Sequence, residues 1–194
     1  MGDWFQTVVD LDATDEEAPA LGDRVLARLV AEGIVEAART DCVLGGGGYG
    51  YPPGPHYAKA VEDPAPVDLW TNGLAVATGR TVFDSGQGDV AAAVCPLCEG
   101  DIRLVDETWQ PIDDAWDPFA GTFDDWIEGG EGLVTCPACT RASSIERWTW
   151  EDDYFACGRL GFTFWNWAEL TPAFVRDLGH QLGGHRTVLL QGKL

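Results

Sequence analysis

Four of the six cysteines stand in two Cys-Pro-x-Cys pairs, Cys95/Cys98 and Cys136/Cys139. A two-residue spacer puts both thiolates of a pair on one tight knuckle, and two knuckles supply the four sulfurs of a closed tetrahedral Zn²⁺ shell. The sequence therefore predicts a structural zinc ion held by Cys95, Cys98, Cys136 and Cys139. A shell closed by sulfur leaves no position for substrate, so the residues that specify the metal specify no reaction. Thiol–disulfide redox chemistry is the competing reading of Cys-x-x-Cys. It needs only one pair, set at a helix N-terminus, whereas here two pairs are each followed by residues that do not read as helix. Cys42 and Cys157 read as buried thiols of a reducing compartment.

Other residues that could do chemistry are sparse. Of three histidines, His56 lies in a Gly/Pro-rich stretch, and His180 and His185 bracket the end of the last expected helix. The latter two could complete a second metal site, but spaced five residues apart across a helix terminus they read as exposed helix-end residues. Neither HExxH, GxSxG nor a Walker loop is present. Gly45-x-Gly47-x-x-Gly50 matches a dinucleotide fingerprint in form, yet Pro52-Pro53 deny it the helix N-terminus that would face the phosphates. The carboxylate pairs Asp113/Asp114, Asp124/Asp125 and Asp152/Asp153 could hold a cation or act as acid and base, but adjacent carboxylates usually form solvated surface.

Charge narrows the choice of partner. The chain carries 12 basic and 32 acidic residues, net −20. Residues 99–153 hold 15 acidic against 3 basic residues, net −12, whereas residues 155–194 hold 2 against 4. Such a field repels phosphate backbones and makes direct nucleic-acid binding a poor reading. A basic protein partner is favoured, although net charge also serves solubility alone. Nine tryptophans include Trp148/Trp150 and Trp165/Trp167, each pair spaced to share one strand face. Trp126, Trp148 and Trp150, with Asp124 and Asp125, are the expected partner-binding residues: aromatic anchors within an electrostatic lure. The alternative is that these rings fill the core and cover the knuckles. No apolar run approaches membrane-span length and the N-terminus lacks signal-peptide character, which predicts a soluble, cytoplasmic protein without membrane contact.

The elements that must position the cysteines are read as follows. Phe5, Thr7, Val9 and Leu11 alternate as in a half-buried strand. Thr14-x-x-Glu17 is a capping-box pattern before a helix with Leu21, Val25, Leu26, Leu29 and Val30 on one stripe, stopped at Gly33. A second strand is expected within 34–44, an exposed loop over 45–66, and short β-runs around a turn at Thr78-Gly79 within 69–84. A short helix is expected near Asp124-Asp125-Trp126-Ile127. Residues 155–167 read as a long strand, Thr171-Pro172 as the start of a final helix with Phe174, Val175, Leu178 and Leu182 inward, and 187–191 as a last strand. The fold class is α+β: a ferredoxin-like βαβ…βαβ sandwich, residues 1–90 and 154–194, with residues 91–153 inserted as an acidic zinc-ribbon module. An unrelated α+β layering of the same elements is the alternative.

Cys95-Pro96-Leu97-Cys98 and Leu133-Val134-Thr135-Cys136-Pro137-Ala138-Cys139 resemble the knuckles of zinc ribbons. The resemblance covers about a quarter of the chain and implies knuckle geometry, not activity, because zinc ribbons serve as scaffolding in binders, adaptors and enzymes alike. The 37 residues between the pairs exceed the spacing of a compact ribbon, so an insertion is expected, centred on 109–129. Beyond the ribbon, abundant Ala and Gly and ten Arg against two Lys are similar in style to acidic proteins of high-GC bacteria. The functional expectation is a non-enzymatic, zinc-stabilised interaction module (adaptor, inhibitor or immunity-like) facing a basic partner. The alternatives are a DNA-mimic regulator, or an enzyme with a pocket near the glycine loop and His56.

Overall fold

The structure is a computed structural model that describes residues 2–44, 48–64 and 69–194. The expected loop at 45–66 thus falls partly outside the described residues. The chain runs β1 (Trp4–Asp10), α1 (Ala18–Ala31), β2 (Gly73–Asp84), then the short elements β3 (Ala92–Val94), β4 (Asp101–Arg103), α2 (Thr122–Ile127), β5 (Leu133–Thr135), β6 (Ala142–Ser144) and β7 (Thr149–Trp150). It closes with β8 (Phe155–Trp165), α3 (Pro172–Gln181) and β9 (Thr187–Lys193). No helix among the described residues is long and apolar enough to cross a membrane.

Four long strands form an antiparallel sheet in the order β2-β8-β1-β9. Alternation sends Val8, Leu160, Phe162 and Phe164 to one face, where they pack against Leu21, Val25 and Leu29 of α1, Phe174 and Leu178 of α3 and Leu182 just after it. The opposite face carries Phe5 with Trp165, and Val9 with Phe83 and Leu190. β1 is therefore buried on both faces rather than half-buried, with even Thr7 and Asp10 enclosed.

Local signals explain the helix ends. The Glu17 N–H donates to Thr14 Oγ1 at 3.2 Å and the Thr14 N–H returns to the Glu17 carboxylate at 3.2 Å, so the capping box forms in the turn that leads into α1. Gly33, at φ 69°, ends that helix. His56 Nδ1 donates to the Glu32 carbonyl at 2.9 Å, which ties this histidine to a helix terminus. Thr171 Oγ1 accepts the Phe174 N–H at 3.1 Å and caps α3.

Three expectations are corrected. Residues 34–44 form no strand; Val35 and Thr40 make only isolated bridges to Pro53 and Gly50, and the second sheet strand is β2. Thr78-Gly79 is not a turn but a bulge within one 12-residue strand, with Gly79 at φ 95° and a register shift against β8. The strand expected over 155–167 ends at Trp165, because Asn166 adopts φ 54° while its amide bonds to Asp3 and Thr71.

Residues between β2 and β8 build a second, separate apolar cluster, in which Leu104, Phe119, Trp126, Val134, Ile145, Trp148 and Trp150 surround Cys95 and Cys136. Val82 of β2 and Phe155 and Cys157 of β8 also reach into it. The β2–β8 ladder thus runs continuously from the four-stranded sheet into this second cluster.

Candidate metal centre

Each cysteine pair sits on the turn between two antiparallel strands, Cys95/Cys98 between β3 and β4 and Cys136/Cys139 between β5 and β6. The turns are built alike. The Glu99 N–H donates to the Cys95 carbonyl at 2.9 Å and the Thr140 N–H to the Cys136 carbonyl at 2.8 Å. Glu99 and Thr140 both adopt φ 58°, the left-handed step by which the chain leaves each knuckle for its second strand. The likeness extends outward at a constant offset: fully buried Ala93 and Leu104 flank the first knuckle as Val134 and Ile145 flank the second. Residues 93–104 and 134–145 form an internal structural repeat. Their sequences share little beyond Cys-Pro-x-Cys, so the sequence betrays it only faintly.

The two knuckles face each other. Cys95 and Cys139 sulfurs lie 4.0 Å apart, Cys98 and Cys136 sulfurs 3.8 Å, and all four lie within 4.8 Å of one another. A tetrahedral ion with bonds of about 2.3 Å to sulfur separates its ligands by about 3.8 Å, so the arrangement fits a metal ion. All six cysteines are free thiols. Among the described residues this is the single cluster of three or more potential ligands that could hold one.

The shell is asymmetric. Cys95 and Cys136 are fully buried, Cys139 is half-buried and Cys98 is exposed. The Arg141 N–H and guanidinium bring the Cys139 thiol down to about 6, whereas Cys98, despite the Gly100 N–H aimed at its sulfur, is pushed up to about 12 by desolvation and its neighbouring thiols. Four adjacent sulfurs compete for ionisation, and a bound cation removes that competition. Arg141 also donates to the Leu97 carbonyl on the opposite knuckle, placing a positive charge across the seam.

The expected partner-binding residues are placed differently from the sequence reading. Trp126, Trp148 and Trp150 are 1%, 5% and 4% exposed and cannot serve as surface anchors. Trp148 Nε1 donates to Ser143 Oγ, while the Trp150 ring packs against Phe119, Phe123 and Phe155. Asp124 and Asp125 are exposed, but Asp125 accepts the Gly132 N–H at 2.8 Å and closes the turn after α2.

The cations that meet Trp126 belong to this chain. The guanidinium carbons of Arg80 on β2 and Arg159 on β8 lie 5.5 and 5.4 Å from the Trp126 ring centre. Arg80 donates to the carbonyls of Trp126 and Gly130 at 2.9 and 2.7 Å. Glu146 accepts Trp126 Nε1 at 3.0 Å and Arg159 at 2.9 Å, and Asp15 sits beside both arginines. An acidic, aromatic module docks in cis onto two arginines of the sheet.

The exposed tryptophans of this segment lie in loop 106–117. Trp109 is 62% exposed, and Ile112 and Trp116 are each 38% exposed, amid Asp106, Glu107, Asp113, Asp114 and Asp117. Trp116 is fixed by stacking on Trp150, centroids 6.0 Å apart.

Sequence reading also missed a polar pair in which one partner is buried. His185 Nδ1 lies 2.9 Å from Asp10 Oδ2, and the fully buried Asp10 also accepts the N–H groups of Asp12 and Ala13 at 3.0 and 2.9 Å. The carboxylate that His185 lacks in its neighbourhood of sequence comes from 175 positions away.

Cys157 is 6% exposed and burial pushes its thiol up to about 12. Folded protein at pH 8 should therefore leave Cys157 unmodified by iodoacetamide, as read by peptide mass spectrometry, with modification appearing only in denaturant. Among protein-family models, curated proteins and solved structures, none matches this chain.

Proposed function

We propose that this chain is a non-enzymatic, zinc-stabilised interaction protein whose acidic module engages a basic protein partner. Zinc is favoured over other metals because a tetrahedral four-sulfur shell suits Zn²⁺, needs no redox change and is closed to substrate. We read the sheet as ferredoxin-like: the order β1-α1-β2-β8-α3-β9 along the chain, with β8 and β1 central, supports that reading, and the knuckle-bearing segment is then its inserted zinc ribbon.

The observation that carries the partner proposal is loop 106–117, where two tryptophans and an isoleucine stand exposed among five carboxylates that have no cation partner among the described residues. Trp109 and Trp116 replace the buried tryptophans as the anchors, and the surrounding acids steer a cationic surface toward them. A monomeric surface seldom spends two large rings this way without a contact to make.

The test is affinity capture on the immobilised protein, with captured proteins identified and their stoichiometry measured, repeated with Trp109→Ala, Trp116→Ala and the control Trp70→Ala on the exposed Trp70. A basic protein held near one-to-one, weakened at least about ten-fold by either module variant but not by Trp70→Ala, supports the reading. Equal capture by all variants, or no stoichiometric basic partner, overturns it. Displacement of the captured protein by duplex DNA would favour the DNA-mimic form of the reading.

A further inference from the structure

Between the helix-free end of the sheet and the module lies a cleft of about 780 Å³, a size suited to a small organic ligand. One wall runs from the 3₁₀ turn Ile145–Arg147 through β7 and the 3₁₀ turn Glu151–Asp153 into β8, and the other is made by residues 11–15 with Arg186 and Val188. Half-buried Phe155 supplies an apolar surface there, backed edge to face at 5.1 Å by the buried Trp150.

The charges of this cleft sort themselves. Arg186 is clamped by Asp12 at 2.6 Å, and Arg159 is held by Glu146 and Asp15 at 2.9 and 3.3 Å. Two lining groups are left over: the side chains of Arg147 and Asp153 make no hydrogen bond or ion pair among the described residues. Asp152 and Asp153 both adopt left-handed backbone, φ 55° and 51°, a conformation that non-glycine residues seldom take.

One unpaired guanidinium and one unpaired carboxylate, flanking an aromatic surface, complement a ligand with the opposite pair of charges. We infer that this cleft binds a small zwitterion with an apolar body, an amino acid or a short peptide, its carboxylate on Arg147, its ammonium on Asp153 and its side chain against Phe155. Arg147 offers a carboxylate a planar, two-pronged donor, and Asp153 accepts from an ammonium. The inference uses residues outside loop 106–117, so either proposal can fail alone.

The test is calorimetric titration of the metal-loaded full chain with four probes: L-phenylalanine, the dipeptide Phe-Phe, phenethylamine, which lacks the carboxylate, and phenylpropionate, which lacks the ammonium. The expected result is saturable binding of at least one zwitterion, about ten-fold or more tighter than either single-ended probe. Preference for phenylalanine assigns a free amino acid, and preference for Phe-Phe a peptide. Arg147→Gln should erase the preference over phenethylamine and Asp153→Asn the preference over phenylpropionate, while Arg176→Gln, an exposed arginine on α3, changes neither. All three replaced residues are exposed, so folding should survive, and circular dichroism checks it. No saturable binding of either zwitterion, equal binding of the single-ended probes, or preferences that persist in the Arg147 and Asp153 variants would overturn the inference.

Discussion

Cys136→Ser is expected to cost the protein its metal and its module. Cys136 is fully buried in the second apolar cluster, so neither water nor a serine hydroxyl can readily replace its sulfur there. Structural zinc sites contribute binding free energy on the order of 10 kcal/mol to the folded state of small modules. Loss of even about 4 kcal/mol lowers the melting midpoint of a chain this size by roughly 10 °C. Cys98→Ser should be milder, because Cys98 is exposed and water can take the vacated corner. That variant should purify with metal and yield it to a weak chelator. Elemental mass spectrometry with thermal melting reads both. A Cys136→Ser protein with unchanged metal content and midpoint would remove the metal centre, and identical behaviour of the two variants would remove the buried-against-exposed distinction.

Trp126→Ala should destabilise by about 4 kcal/mol, since truncating a fully buried tryptophan leaves a cavity that closes poorly. It also strips the ring from between Arg80 and Arg159 and leaves Glu146 without its indole donor. Hydrogen exchange should locate the damage: amides of α2, β5 and β6 should lose protection, while those of β1, β8 and β9 keep theirs. Trp126→Phe keeps one aromatic ring but removes the N–H and part of the indole, so a smaller loss of about 2–3 kcal/mol is expected. Uniform loss of protection across the sheet would show that Trp126 supports the whole fold rather than the docking of one part on another.

Much of the metal centre was legible because cysteine spacing carries its own geometry, and the helix starts were legible because Thr14-x-x-Glu17 and Thr171-Pro172 act on their immediate neighbours. The tryptophans were not. A spacing of two says that Trp148 and Trp150 share a side, but whether that side is inner or outer depends on what packs there. Phe119 and Phe123, more than 25 residues earlier, decide it. Trp165 and Trp167 part company because left-handed Asn166 turns the chain, sending one ring to Phe5 and the other to Phe164. The acidic excess was read as a signal to another molecule, yet part of it is answered by Arg80 and Arg159. Long-range pairs such as Asp10 with His185 leave no local pattern to read.

The ladder that joins the sheet to the knuckles also bears on how quickly the chain can fold. β2 and β8 make the longest strand pairing, yet 70 residues separate Asp84 from Phe155, and bringing those ends together must be done against the entropy of the intervening loop. A metal ion that ties Cys95 to Cys139 shortens the free path to the 10 residues before the first cysteine and the 15 after the last. By loop-closure scaling that shortcut lowers the barrier by roughly 1 kcal/mol, a several-fold gain in refolding rate. The metal would then act as an early clasp that sets strand register, so chain refolded with zinc present should pair its sheet faster than chain given zinc afterwards.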